Sequence, residues 1–327
     1  QTVSGTVFVP RGEAPDGGWP IIAFGHPTTG TRPECAPSLD PTLLTIAPIV
    51  TGLVKAGYLV AVSDYQGLGV EGTYHPYLEP KTAGYNLIDS VRAARKLVPA
   101  ASDRWAALGG SQGGQAAWAA NEVAPVYGVG LNLVGSVSFS APLNISRIAD
   151  VAEAGQLSAE QRPVILAIID ALSHEVPNFA LDDYRRGLAR QQWDLLLACK
   201  GFDTVRRTLV VDELTAEDVR PASSEATATL RALLEQRALP QQPASAPMLV
   251  IYGGADQLVA SAWTESALVS ACGLGNTIQI QFQPDKGHAD VDASAAFPWI
   301  NDRFEGLPAP NDCPEFVMRA EESEVGQ

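Results

Sequence analysis

Residues 105–121 read WAALGGSQGGQAAWAAN, and this stretch decides how the rest of the chain is interpreted. Its first four residues are apolar, the next five form a G-x-S-x-G pentapeptide around Ser111, and a run of good helix formers follows. A strand that turns sharply through a glycine-flanked serine into a helix is typical of a nucleophile elbow. The flanking glycines allow close chain approach and tolerate strained angles at the serine. We therefore predict a nucleophilic Ser111, the alternative being a Gly/Ser turn without chemistry.

Segments with the character of strands and helices alternate along most of the chain. A continuous apolar run at residues 19–24 is typical of a strand buried on both faces of a parallel sheet. Residues 2–10 alternate and end at a proline, which favours an edge strand. Further strands are predicted at 58–63, 105–108, 133–139, 248–252 and 277–282, and helices at 41–56, 82–98, 260–272 and 293–304. This alternation predicts an α/β fold with a mainly parallel sheet covered by helices on both faces.

The middle of the chain has a different character. Glycine is scarce there, and the helical patterns at 163–172 and 222–239 dominate. Residues 208–211 are the only clear candidate for a strand in this part. The predicted units are a sheet-based core of residues 1–142 and 247–327 and a mostly helical cap or lid insertion of residues 143–246.

Charge and hydropathy exclude several classes of partner. The net charge of −15 disfavours nucleic acid and anionic membrane surfaces as partners. No apolar run reaches about 18 residues, so we expect no integral membrane segment. The first ten residues lack both a charged and an apolar leader region, which predicts that a signal peptide is absent or has been removed.

The cysteines indicate the compartment. Four are present, at positions 35, 199, 272 and 313, and they form no C-x-x-C motif. This spacing disfavours a metal site. Two disulfides in an exported protein are expected, with buried free thiols as the alternative. We therefore expect a secreted, mature chain, and we expect it to be a monomer.

A serine hydroxyl is a weak nucleophile until an imidazole takes its proton and a carboxylate orients that imidazole. In sheet proteins of this kind the three residues occur in the order Ser, Asp, His. Asp256 follows the predicted strand at 248–252, and His288 follows the strand at 277–282. Both then lie at the carboxyl ends of core strands, where open parallel sheets place their sites. We predict that Ser111 is the nucleophile, His288 the base and Asp256 the acid.

These assignments have alternatives. Asp256 also suits the N-cap of the following helix, and His288 also suits a polar loop position. Asp285 and Asp290 are weaker rivals for the acid because they lie too close to His288 in sequence to orient it from behind. His26 is interpreted as a residue that braces its own loop rather than as a base.

Acyl transfer also needs two N–H groups that stabilise a tetrahedral oxyanion. One is expected from Gln112, directly after the nucleophile, and the other from the loop after the strand at 19–24. Pro27 in that loop has no N–H to donate. Thr28 is our prediction for the second donor, with Thr29 as the alternative.

Several motifs together resemble one protein family. They are GHPTTG, DYQGLG followed by HPYL, GGSQGGQAAW, GGADQLV and KGHAD. In combination they are similar to the secretory lipase (lipase A-like) family of α/β-hydrolases. The motifs cover residues of about 20–120 and 248–290, and the segment 143–246 matches the family's cap or lid in position only.

The resemblance implies the α/β-hydrolase fold and the same catalytic set, with Ser111, Asp256, His288 and the oxyanion donor Gln112. The family commonly has His-Gly at the turn where this chain has His26-Pro27, so the second oxyanion donor stays open between Thr28 and Thr29. In the same light, Asp64 and Tyr65 are interpreted as bracing the oxyanion loop, and His75 as structural.

The resemblance also suggests a cysteine pairing. A bridge between Cys35 and Cys199 would tether the cap to the core, and one between Cys272 and Cys313 would close the C-terminal helices. This is one of three possible pairings.

The sequence thus predicts an extracellular serine carboxylester hydrolase, an esterase or lipase that works through an acyl-enzyme and needs no cofactor or metal. The expected substrate is a small-molecule, lipid or polymer ester. Alternatives are a serine peptidase on the same fold, a polyester-degrading hydrolase, and a catalytically silent binding module. A Rossmann dehydrogenase is excluded because the elbow satisfies G-x-G-x-x-G in no register.

Overall fold

The computed structural model describes residues 1–199 and 202–325. Within these residues one seven-stranded sheet has the strand order β1-β3-β2-β4-β5-β6-β7. The strands are β1 (Gly5–Phe8), β2 (Trp19–Gly25), β3 (Leu59–Ser63), β4 (Ala101–Gly110), β5 (Asn132–Phe139), β6 (Met248–Gly253) and β7 (Ile278–Gln283).

The sheet is parallel except at one edge. There β1 pairs antiparallel with β3, in a register that places Gly5 opposite Ser63 and Phe8 opposite Val60. The other pairings, from β3–β2 to β6–β7, are parallel. The mainly parallel sheet and the edge position of the first strand are therefore confirmed.

Helices cover both faces of this sheet. They are α1 (Ala47–Lys55), α2 (Pro80–Leu97), α3 (Gln112–Tyr127), α4 (Ile148–Glu153), α5 (Gln161–Glu175), α6 (Gly187–Gln191), α7 (Trp193–Leu196), α8 (Phe202–Glu213), α9 (Ser224–Glu235), α10 (Ser261–Gly273), α11 (Ala296–Phe304) and α12 (Cys313–Val325). Ile22 and Phe24 of β2 share an apolar cluster with α1 and α11, whereas Ile21 and Ala23 share one with α2 and α3. Successive side chains of the strand thus bury into opposite layers. None of these helices, over the residues described, has the length and apolar character needed to cross a membrane.

Two local predictions were wrong. Residues 208–211 lie inside α8 rather than in a strand. Val210 and Val211 pack on an apolar cluster, the cap cluster, that includes Ile165 and Leu230, and this packing overrides their β propensity. The helix predicted from residue 41 begins only at Ala47, after three consecutive residues with positive φ. The helix predicted at 293–304 is α11, and its Pro298 lies in the first turn, where the missing N–H costs no helical hydrogen bond.

The chain between β5 and β6 contains α4 to α9 and, in the described residues, no strand. Its helices share an apolar cluster that includes Ile165, Ile168, Leu172 and Leu230. We therefore propose to treat residues 143–246 as a cap on a core of residues 1–142 and 247–327.

All four cysteines are paired, and the two bridges are the predicted ones. Cys35, after β2, is bonded to Cys199, after α7, with Cα atoms 5.5 Å apart. Cys272 of α10 is bonded to Cys313 of α12, with Cα atoms 5.2 Å apart. The first bridge therefore attaches the segment 143–246 to the loop that leaves β2.

Removing the first bridge should destabilise the protein more than removing the second. The double variant Cys35→Ser/Cys199→Ser opens a link between residues 164 apart, whereas Cys272→Ser/Cys313→Ser opens one between residues 41 apart. Each should lower the free energy of unfolding by about 2–5 kcal/mol, and the loop entropy makes the first loss about 1 kcal/mol larger. Denaturant unfolding of both variants measures this. An equal or larger loss for the second variant would contradict the prediction.

Candidate active site

Ser111 lies at the sharp turn between β4 and α3, with φ 52° and ψ −124°. This left-handed backbone is strained for a residue with a side chain. The Ser111 N–H donates to the carbonyl of Phe139 at 2.9 Å, and the Ser111 carbonyl accepts from Gly114 and Gln115. A Cβ at Gly113 would overlap the carbonyl oxygen of Gly25, so the residue two positions after the serine must be glycine. These contacts hold the elbow open and present the hydroxyl.

The structure brings Ser111, His288 and Asp256 together. His288 Nε2 lies 2.9 Å from Ser111 Oγ, and His288 Nδ1 lies 2.8 Å from Asp256 Oδ2. The other oxygen of Asp256 accepts from the N–H groups of Leu258 and Val259, each at 2.8 Å. Asp256 therefore orders its own turn and orients the imidazole at once.

The rival acids make different contacts. Asp256, which is buried, touches the His288 ring, whereas Asp290 accepts from the N–H of Gly287 and orders the backbone of the same loop. Asp256 thus orients the ring of His288, and Asp290 orders the backbone of the loop that carries it. With the Nδ1 proton directed to Asp256, His288 Nε2 is free to accept the proton of Ser111.

Gln112 begins α3, so its backbone N–H belongs to the first helical turn, where N–H groups have no helical partner. Its side-chain Nε2 donates to His75 Nε2 at 2.8 Å, and His75 Nδ1 donates to the carbonyl of Gln66 at 2.8 Å. Burial lowers the pKa of His75 to about 4, so the ring stays neutral and keeps Nε2 as an acceptor. His75 therefore fixes the side chain of the residue next to Ser111.

Thr28 is held by Tyr77, which lies in the same segment as His75. Its Oγ1 lies 2.7 Å from the hydroxyl of Tyr77, a buried residue two positions after His75. Burial raises the pKa of Tyr77 to about 12, so this hydroxyl keeps its proton, and either of the two hydroxyls can donate to the other. The segment 75–78 thus contacts both residues that the sequence predicts as oxyanion donors.

Contacts of His26, Asp64 and Tyr65 hold the loop that carries Thr28. His26 is fully buried, and its Nδ1 lies 2.7 Å from the carbonyl of Pro27. The hydroxyl of Tyr65 donates to the carbonyl of His26 at 3.2 Å. The carboxylate of Asp64 instead accepts from Ser4 and Ser38, so only its backbone carbonyl, 3.3 Å from His26 Nε2, faces this loop.

Sequence reasoning did not identify the residues that join the cap to this site. Asp170 of α5 accepts from Thr31 Oγ1 at 2.7 Å, and Arg237 donates to the Tyr77 carbonyl at 2.9 Å while it pairs with Glu175. Their sequence surroundings carry no motif. Tyr77 and His75 do stand in the HPYL motif, which was the available signal. In the described part of the chain, no cluster of three or more His, Cys, Asp or Glu side chains is arranged to hold a metal ion.

The neutral state of His75 makes stability depend on pH. The unfolded chain binds a proton at His75 near the ordinary value of 6.5, whereas the folded chain does so only near 4. Stability is therefore fully present above pH 6.5 and is lost as pH falls towards 4, by about 2–3 kcal/mol. Denaturant unfolding at pH 7 and pH 4.5 should show this loss in the wild type and a smaller one in His75→Gln. Equal losses in the two proteins would contradict the assignment.

Many solved structures resemble this fold, and two of them serve as examples. Lipase A of Candida antarctica in its closed state has a TM-score of 0.74 at 19% identity, over 94% of this chain and 74% of that one. A ligand-bound form of the rice cell wall degrading esterase LipA from Xanthomonas oryzae has a TM-score of 0.70 at 23% identity, over 97% of this chain and 84% of that one. At these identities the likeness concerns the fold, and it confirms the predicted α/β-hydrolase architecture.

The sequence itself matches one family. No curated protein matches the chain. Residues 42–312 match the family model described as secretory lipase, which confirms the resemblance carried by the motifs. That family and the two disulfides are consistent with secretion. The chain belongs to the secretory lipase family and is a serine hydrolase of the lipase and esterase type.

Proposed function

We propose that this protein is an extracellular carboxylester hydrolase whose catalytic triad is Ser111, His288 and Asp256. The observation that carries the proposal is the continuous hydrogen-bond chain from Ser111 Oγ through His288 to Asp256, with links of 2.9 and 2.8 Å. Family membership favours an ester over the peptide bond that a peptidase of the same fold would cleave. The two disulfides support an oxidising, extracellular location.

In the acylation step Ser111 Oγ attacks the ester carbonyl carbon while His288 Nε2 takes the hydroxyl proton. Asp256 stabilises the imidazolium that forms, and its two backbone hydrogen bonds keep it aligned. His288 then gives the proton to the leaving alcohol, which departs and leaves an acyl-serine. Water attacks this ester with His288 as base, and collapse of the second intermediate releases the acid and restores Ser111.

Each tetrahedral intermediate places negative charge on the former carbonyl oxygen. We assign the backbone N–H groups of Gln112 and Thr28 as the donors that stabilise it. The N-terminus of α3 adds a favourable dipole at Gln112. The hydrogen bond between the hydroxyls of Thr28 and Tyr77 can run in either direction, and we assign Tyr77 as the donor, which leaves the Thr28 proton for the oxyanion and makes the Thr28 hydroxyl a third donor.

Removing the nucleophile tests the triad. Ser111→Ala should lower kcat/KM for a 4-nitrophenyl ester by about 10⁴-fold or more, since the attacking oxygen is lost. It should also abolish labelling by a fluorophosphonate, which peptide mass analysis would otherwise place on Ser111. Ser266→Ala, on the exposed face of α10, is the matched control and should retain full activity. Retained hydrolysis in Ser111→Ala would refute the assignment.

The third oxyanion donor is tested by a double-mutant cycle on Thr28 and Tyr77. Thr28→Val should lower kcat by about 10- to 100-fold with little change in KM, because the contact forms mainly in the transition state. Thr28→Ser should retain most of the activity. Tyr77→Phe should lower kcat in the wild type and have no further effect in Thr28→Val. Tyr74→Phe is the control, and additive losses in the cycle would contradict the coupling.

A further inference from the structure

A cavity of about 260 Å³ lies between the loop that leaves β2 and the helices of the cap. The core side is residues 28–31, which include the proposed oxyanion residue Thr28. On the cap side the wall is mainly apolar, and its members include Pro163, Val164, Ala167, Leu196 and Leu197. This volume is roughly nine times the volume of about 30 Å³ that one molecule of liquid water occupies.

Among the described residues of the cavity wall, one carries a charge. Arg207 of α8 lines the cavity and is half-buried, and its Nε donates to the Leu196 carbonyl at 2.7 Å. Its neighbour Arg206 pairs with Asp203, whereas Arg207 forms no ion pair with any residue in the ranges 1–199 and 202–325. Burial lowers the pKa of the guanidinium.

A desolvated cation is normally paired with an anion in a folded protein. The Nε bond to Leu196 fixes the plane of the guanidinium and leaves its terminal N–H groups for a further acceptor. Those groups match the two oxygens of a carboxylate in geometry and charge. The protein's net charge of −15 otherwise repels anions, so an anionic group needs such a local cation to bind.

The position of the cavity indicates which part of an ester enters it. His288 protonates the leaving alcohol in the proposed mechanism, so the alcohol lies beside the loop that carries His288. The cavity is bordered by Thr28 and not by any residue of 284–292. This arrangement assigns the cavity to the acyl part of the substrate.

We propose that the cavity receives the acyl arm of the ester and that Arg207 binds a carboxylate at the far end of that arm. The preferred substrates are then half-esters of dicarboxylic acids, which the enzyme hydrolyses to a dicarboxylate and an alcohol. This inference rests on the proposed function, because it uses the same Ser111 chemistry and adds only the recognition of the acyl arm.

Two matched substrate series test the proposal. One series is mono-4-nitrophenyl esters of straight-chain diacids with six to eight carbons, and the other is 4-nitrophenyl esters of monocarboxylic acids of the same lengths. Arg207→Gln should lower kcat/KM for the diacid half-esters by about 10- to 100-fold and leave the monoacid esters within about threefold. Arg207→Lys should lie between, since it keeps the charge and loses the planar fork.

The neighbouring variant Arg206→Gln is the control and should change neither series, because Arg206 is exposed and does not line the cavity. A measurement on the wild-type protein removes any dependence on the folding of the variants. Free adipate should inhibit hydrolysis of a neutral ester competitively, at a concentration at least about tenfold lower than hexanoate at equal ionic strength.

The outcomes separate the two proposals. Equal effects of Arg207→Gln on both series, or equal inhibition by adipate and hexanoate, would overturn the role of Arg207 and leave the esterase assignment standing. If the wild type hydrolyses neither series, the proposed function itself has failed. Selective loss on the diacid series together with selective inhibition by adipate supports both.

Discussion

The contact between Gly25 at the end of β2 and Gly113 at the start of α3 is the constraint on which the site depends. A Cβ at Gly25 would meet the carbonyl of Gly113 at 2.6 Å, and a Cβ at Gly113 would overlap the carbonyl of Gly25. Only two glycines allow this approach. It places the loop that begins at His26 directly against the elbow, since a Cβ at Gly113 would also lie 2.9 Å from the carbonyl oxygen of His26.

The sheet carries the proposed catalytic residues, and the cap encloses the site that they form. The three proposed catalytic residues follow β4, β6 and β7, where parallel strands end at one edge. The links that attach the cap to the same edge include the Cys35–Cys199 bridge, the hydrogen bond from Thr31 to Asp170, and the donation from Arg237 to Tyr77. The cavity between loop and cap is therefore lined by residues of both parts.

Much of the fold and site was predictable from local sequence. The parallel sheet was predicted from apolar runs that alternate with amphipathic helices. The sharp turn at Ser111 was predicted from the glycines on either side of it. Asp256 and His288 followed from the order of strands. The strand expected at 208–211 was wrong because contacts with the cap cluster, rather than the propensity of Val210 and Val211, determine that segment.

The sequence by itself determined the α/β class, the elbow and the order of the three residues around it, since short-range patterns and chain order encode these features. Tertiary structure alone decided which side chains support them. His75 holds Gln112, Tyr77 holds Thr28, and Arg207 faces a cavity that the loop after β2 helps to form. Such contacts join residues far apart in the chain, and their energies depend on burial and geometry that exist only once the sheet and the cap have packed together.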